Sequence, residues 1–121
     1  MSTEQIGVES DGGIRVLVLR GEHDLSTAPD VRAHMEDAVR GEGDLVVDLC
    51  EAGFIDSSIL GVLIAGYRGL AGAEQPRGFA FAAVPGSTVT RLFDLVSVSD
   101  LIPVYPTRAA AVAALGGTSP R

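Results

Sequence analysis

Hydrophobic and polar positions alternate along this chain in two rhythms, and the changes of rhythm divide it into elements. Ile6 and Val8 are separated by polar residues and predict a short strand, followed by Ser10-Asp11-Gly12-Gly13, in which Asp-Gly is a strong hairpin signal. The run Ile14 to Arg20 is β-branched and almost uninterrupted, as expected of a strand covered on both faces. From Ser26 the period becomes helical. Ser26-Thr27-Ala28-Pro29-Asp30 supplies a hydroxyl cap, an early proline and an acid for a first turn, and Val31, Met35, Ala38 and Val39 recur at helical spacing until Gly41.

The same alternation continues to the end of the chain. Leu45–Leu49 reads as a buried strand, and Asp56-Ser57-Ser58 opens an apolar helical segment lasting to about Ala71. Phe79–Val84 is a further strand closed by Pro85-Gly86, and Val89, Leu92, Phe93 and Val96 fit one face of a short helix. Leu101–Tyr105 is a last strand, which Pro103 assigns to a sheet edge. Thr107 caps an alanine-rich helix through Leu115, stopped by Gly116-Gly117, and residues 116–121 read as a loose tail. The order β-β-α-β-α-β-α-β-α predicts one α/β domain over residues 1–121, its core at about 14–115. It has a mixed, mainly parallel sheet, an N-terminal antiparallel hairpin and about four packed helices.

Charge and composition narrow the function. Nine basic residues against sixteen acidic ones give a net charge of −7, a surface that repels nucleic acid and anionic lipid. All nine are arginine. Without lysine the chain cannot supply a P-loop, Schiff-base chemistry or the lysine of a phosphorylated receiver domain. Cys50 is the only cysteine, and His23 and His34 are the only histidines, too few for most metal centres. The N-terminus has neither the basic nor the apolar part of a secretory signal, and the longest apolar run, Ile59 to Ala65, is too short for a bilayer. A cytoplasmic protein without cofactor is expected.

Functional groups in such sheets collect beyond the carboxyl ends of the strands. Two polar loops qualify: Gly21-Glu22-His23-Asp24, and Gly53-Phe54-Ile55-Asp56-Ser57-Ser58. On spacing alone the second is first an N-cap, where one side-chain oxygen suffices. Three cap-type residues in a row exceed that need, and a hydroxyl at a helix N-terminus between carboxylates suits phosphorylation. In the helix that follows, Leu60, Leu63, Ile64, Tyr67 and Leu70 form a core stripe. Ile59 and Val62 fall outside its centre and are read as a face for a partner, with burial under neighbouring helices as the alternative. His23 is read as a surface loop residue, His34 as solvent-facing, and Cys50 as a small apolar residue below the loop. Without a G-x-S-x-G frame or a credible nucleophile and base, an enzyme is not expected.

The segments Leu19–Asp24, Val46–Leu49 and Phe54–Leu63, with Val89–Leu95 and Leu101–Tyr105, closely resemble a STAS domain of the anti-anti-sigma factor (anti-sigma factor antagonist) type, over about Val16 to Leu115. The resemblance implies partner switching. Such proteins bind, when unphosphorylated, an anti-sigma factor of the Bergerat-type kinase fold, which phosphorylates the first serine after the motif aspartate, here Ser57. A PP2C-type phosphatase reverses the modification. Ser58 is the fallback acceptor, and Glu22, His23, Asp24, Asp56, Ser57, Ser58, Ile59 and Val62 form the expected partner surface. Two positions depart from the family pattern. Ile59 stands where Gly or Ala is common and would obstruct a kinase, favouring an unphosphorylated adaptor; His23 replaces an apolar residue. A nucleotide or small-molecule sensor is the remaining alternative.

Overall fold

Residues 5–116 are described by a computed structural model. Five strands form the main sheet in the order β1-β2-β4-β6-β7, where β1 is Ile6–Asp11, β2 Ile14–Leu19, β4 Leu45–Asp48, β6 Phe79–Ala82 and β7 Val104–Tyr105. The hairpin β1-β2 is antiparallel and every other neighbour is parallel. Its two-residue loop is Gly12-Gly13, with φ of +61° and +83°, a backbone that glycine adopts without a Cβ clash.

The uninterrupted apolar strands are explained by the two layers that cover them. Leu17, Leu19, Leu45, Val47, Phe79 and Phe81 point to one face, where they meet helices α1 (Ala28–Arg40), α2 (Ser57–Ala71) and α3 (Thr88–Leu95). The alternate residues Val16, Val18, Val46, Ala80 and Ala82 point to the other, against Ala111 and Val112 of α4 (Arg108–Ala114). Alanines on both sides of that second interface allow close approach. On the first, α1 and α2 run side by side: a Cβ on Gly66 would lie 2.0 Å from Met35 Cε, and one on Gly69 would lie 3.1 Å from Val39.

Polar groups pin the outer parts of this frame. Asp48, on the α4 face of β4, is buried and accepts from Arg108 Nε at 3.1 Å and from the Cys50 amide at 3.0 Å. Arg108 also reaches Glu9 at 2.8 Å, and Arg20 holds the other oxygen of Glu9 at 3.2 Å. These partners, Arg108 first, hold the Glu9 carboxyl below its ordinary range. Arg77, between α2 and β6, donates to the carbonyls of Ala38, Val39 and Gly43 at 2.7 Å each, closing the C-terminus of α1. Cys50 is half-buried, and burial followed by the Asp48 carboxylate pushes its thiol up to about 12. In native protein at pH 8, Cys50 should therefore react with iodoacetamide more slowly than an ordinary cysteine by about tenfold or more; alkylation at the ordinary rate before unfolding would contradict this environment.

Several boundaries differ from those expected. Two further strands occupy what reads as loop: β3 (Gly21–His23) and β5 (Ala52–Ile55) form a separate parallel pair. Helix α3 ends at Leu95, so Val96 is exposed and lies outside the apolar face assigned to it. Of the strand expected over Leu101–Tyr105 only Val104-Tyr105 pairs, because a 3₁₀ turn at Val98–Asp100 carries the chain into it; β7 is nevertheless an edge. Thr107 caps α4 as expected, its side chain accepting from the Ala110 amide. His34 is half-buried, its Nδ1 2.8 Å from the Asp30 carbonyl. The expected tail at 116–121 lies outside the described residues beyond Gly116.

Candidate functional site

The two polar loops are brought together by the small parallel ladder. Gly21, at φ +75°, turns the chain out of β2, and its amide donates to the Glu51 carbonyl at 3.0 Å. Glu22 then lies opposite Phe54 and His23 opposite Ile55, and the Asp56 amide reaches the His23 carbonyl at 3.3 Å. Glu22-His23-Asp24 and Asp56-Ser57-Ser58, more than thirty residues apart in sequence, thus leave adjacent strand ends in the same direction.

Asp56 is the N-cap of α2. Its Oδ1 accepts from the Ile59 amide at 3.1 Å, and its carbonyl accepts from Leu60. The side-chain capping bond is therefore made without either serine. Ser57 is the first residue of the helix and is exposed; Ser58 is half-buried. Among the described residues no hydrogen bond occupies either hydroxyl. The Ser57 side chain is thus free, at the positive end of a fifteen-residue helix.

On the neighbouring loop, Glu22 and Asp24 are exposed. Asp24 is held in a tight turn, its carboxylate accepting from the Ser26 hydroxyl at 2.6 Å and the Ser26 amide at 2.9 Å. Those two bonds, the hydroxyl first, hold its carboxyl below the ordinary range. It is fully charged at neutral pH, and with Asp56 and Glu22 makes the serine's surroundings anionic.

Three of the expected surface residues lie beneath this surface. His23 has no exposed area, contrary to its reading as a surface histidine. Its Nε2 lies 2.9 Å from the Arg20 carbonyl and 3.3 Å from that of Gln5, and its Nδ1 lies 3.0 Å from Thr27 Oγ1. This bond also corrects the expected hydroxyl cap on α1: Thr27 is the N-cap residue but makes no side-chain capping bond, its hydroxyl lying instead against His23 and the Asp24 backbone. Ile59 is completely buried and Val62 is 4% exposed, so neither forms an outward face. α1 covers that side of α2, and Ile59 cannot stand in the way of an approach to Ser57. The outward face of α2 is made instead of Ser57, Gly61 and Ala65, all exposed. Their i, i+4 spacing was visible in the sequence, but Gly61 reads there only as an interruption of an apolar run.

The arrangement has counterparts among known proteins. Residues 6–103 match the family model described as "Mlab, STAS domain". The chain is 30% identical over 103 residues to a protein of Paenibacillus polymyxa named anti-sigma F factor antagonist, covering 84% of this chain and 86% of that one. A crystal structure of an anti-sigma factor antagonist from Mycobacterium paratuberculosis superimposes with a TM-score of 0.82 at 29% identity, covering 92% of each chain. The Bacillus cell fate determinant SpoIIAA in its phosphorylated form shares the fold, with a TM-score of 0.67, 20% identity and coverage of 90% of this chain and 97% of that one. The chain belongs to the STAS domain family, on the branch of the anti-sigma factor antagonists. No helix among the described residues is long and apolar enough to cross a membrane.

Proposed function

We propose that this protein is an anti-sigma factor antagonist whose binding is switched by phosphorylation of Ser57, the unphosphorylated form engaging a Bergerat-type anti-sigma kinase and a PP2C-type phosphatase resetting it. It acts as a binding protein and kinase substrate rather than as a catalyst. The observation that carries this reading is the exposed Ser57 hydroxyl, released from capping by Asp56 at the end of a strand that runs beside the one carrying Asp24. A phosphate there adds about −1.5 to −2 charges to a surface that is already anionic. At an interface that desolvates these groups, the added repulsion is enough to release a partner. The contact surface consists of Glu22, Asp24, Asp56, Ser57 and Ser58 and continues along α2 over Gly61 and Ala65. His23, Ile59 and Val62 support it from below. Burial of Ile59 removes the reason for preferring an unphosphorylated adaptor.

The test is phosphopeptide mapping of the protein from its native cells under several conditions. No basic residue lies between Arg40 and Arg68, so trypsin releases Gly41–Arg68 as one peptide. A condition-dependent gain of about 80 Da on Ser57 is expected. Ser57→Ala should keep the fold and bind the anti-sigma partner constitutively. Ser57→Asp should weaken binding about tenfold, since a carboxylate carries less charge than a phosphate. A peptide unmodified in every condition, with both variants binding as wild type, would overturn the switch.

A further inference from the structure

Helix α1 packs its inward face, Val31, Met35 and Ala38, into the core, but its flank toward α2 is left open. A groove of about 390 Å³ runs there over Met35, Val39, Val62 and Gly66. A second hollow of about 310 Å³ extends it toward the N-terminus of α1, past Leu25 and Pro29. Arg32 and Glu36 line both hollows, so the two form one largely apolar trough with a cation and an anion a helical turn apart at its middle. Leu25, at one end, is 71% exposed.

The two charges are not used within the chain. Among the described residues Arg32 and Glu36 make no ion pair, with each other or with a neighbour, whereas Arg40 turns to Asp37. An arginine four residues before a glutamate is the weaker order for pairing along one helix. Between two helices the same order is self-complementary. In an antiparallel pair related by a two-fold axis at the level of His34, Arg32 of each copy lies level with Glu36 of the other, and Pro29 lies level with Val39. Leu25 of each copy is then carried past Val39 to the far end of the other's trough.

We propose that α1 is a self-association face: two copies of this chain pack antiparallel along the α1–α2 trough, with Arg32 and Glu36 paired reciprocally across a two-fold axis. Burial of Leu25, Pro29 and the apolar floor supplies the affinity, and the charge pairs at the rim fix the register and exclude other alignments. An acidic chain meets its own copy at a face where each negative charge has a positive one opposite it. Ala65 lines the same trough, so the second copy and the anti-sigma partner proposed above compete for it. The pairing itself rests on α1 and not on the reading of Ser57.

The experiment is sedimentation equilibrium of the full-length protein and of charge variants at physiological salt. The wild-type mass should double between about 10 µM and about 1 mM, as suits an interface of this modest size. Arg32→Glu and Glu36→Arg, each alone, place like charges opposite one another and should weaken the dimer about tenfold or more. An equimolar mixture of the two variants restores both opposite-charge pairs and should dimerise as wild type does, as should the double variant Arg32→Glu/Glu36→Arg. Both positions are exposed, and thermal melts of each variant should match wild type. A wild-type protein that stays monomeric at about 1 mM, single variants that dimerise unchanged, or a mixture that stays monomeric would each overturn the proposal. Absence of Ser57 phosphorylation in cells would instead sink the functional reading and leave the dimer standing.

Discussion

Val62→Asp should unfold the domain or lower its melting temperature by about 15 °C, while Gly61→Arg, one residue earlier, should leave the melting temperature within a few degrees. Val62 is 4% exposed and packed in the core cluster under α1. A carboxylate there is taken out of water among apolar neighbours, and burying it costs about 4 kcal/mol or more. That is a large part of the roughly 5–15 kcal/mol that holds a domain of this size together. A Cβ on Gly61 meets nothing within 4 Å, and replacing an exposed helical glycine gains up to about 1 kcal/mol of helix propensity. The binding results should be reversed in origin. Gly61→Arg is folded yet loses the anti-sigma partner by about tenfold or more, because a long side chain occupies the flat strip beside Ser57. Thermal melts and binding measured on the same two preparations decide the matter. A stable Val62→Asp would move the outward face of α2 back to Val62, and unimpaired binding by Gly61→Arg would remove α2 beyond Ser58 from the interface.

Arg77→Met should cost about 2–3 kcal/mol, a drop of roughly 10 °C. The guanidinium makes three bonds of 2.7 Å, to the carbonyls of Ala38 and Val39 in the last turn of α1 and of Gly43 in the loop that follows. The positive charge also sits at the negative end of that helix. Methionine preserves the stem and removes every donor. Arg77→Lys should recover little of the loss, since a single ammonium cannot span three carbonyls held by a planar fork. Chemical denaturation of the three proteins measures both effects. Equal stability of Arg77→Lys and wild type would show that the charge, and not the fork, closes the helix.

The strands β2, β4 and β6 were legible because both of their faces are covered and their apolar runs are continuous. The caps at Asp56 and Thr107 were legible because capping is a local contact. What escaped depends on distant neighbours. β3 and β5 are three and four residues long, too short to display a period, and they pair with each other across an intervening helix and strand. His23 is buried by Gln5, Arg20 and Thr27 rather than by anything its own loop announces. Ile59 and Val62 stand off the centre of the α2 stripe because that helix buries two sides, one on the sheet and one on α1. The close approach that makes this possible is set by Gly66 against Met35, a contact no helical wheel of α2 contains. Of the candidate site, the acidic and hydroxyl residues were proposed from their loops, and the exposure of Gly61 and Ala65 beside them is visible only in the burial pattern.

The ladder that carries Glu22, His23 and Ile55 is hydrogen-bonded apart from the five-stranded sheet. Its Ala52 and Ile55 nevertheless belong to the same buried apolar cluster as Leu17, Leu45 and Phe81, so the ladder is tied to the scaffold by packing rather than by the main sheet's hydrogen bonds. A surface mounted in this way takes its position from side-chain packing, and its two loops keep their relative register through only the few backbone pairs of β3 and β5. Substitutions on the exposed side of those loops can therefore change what the surface fits without touching the apolar layers that hold the fold together.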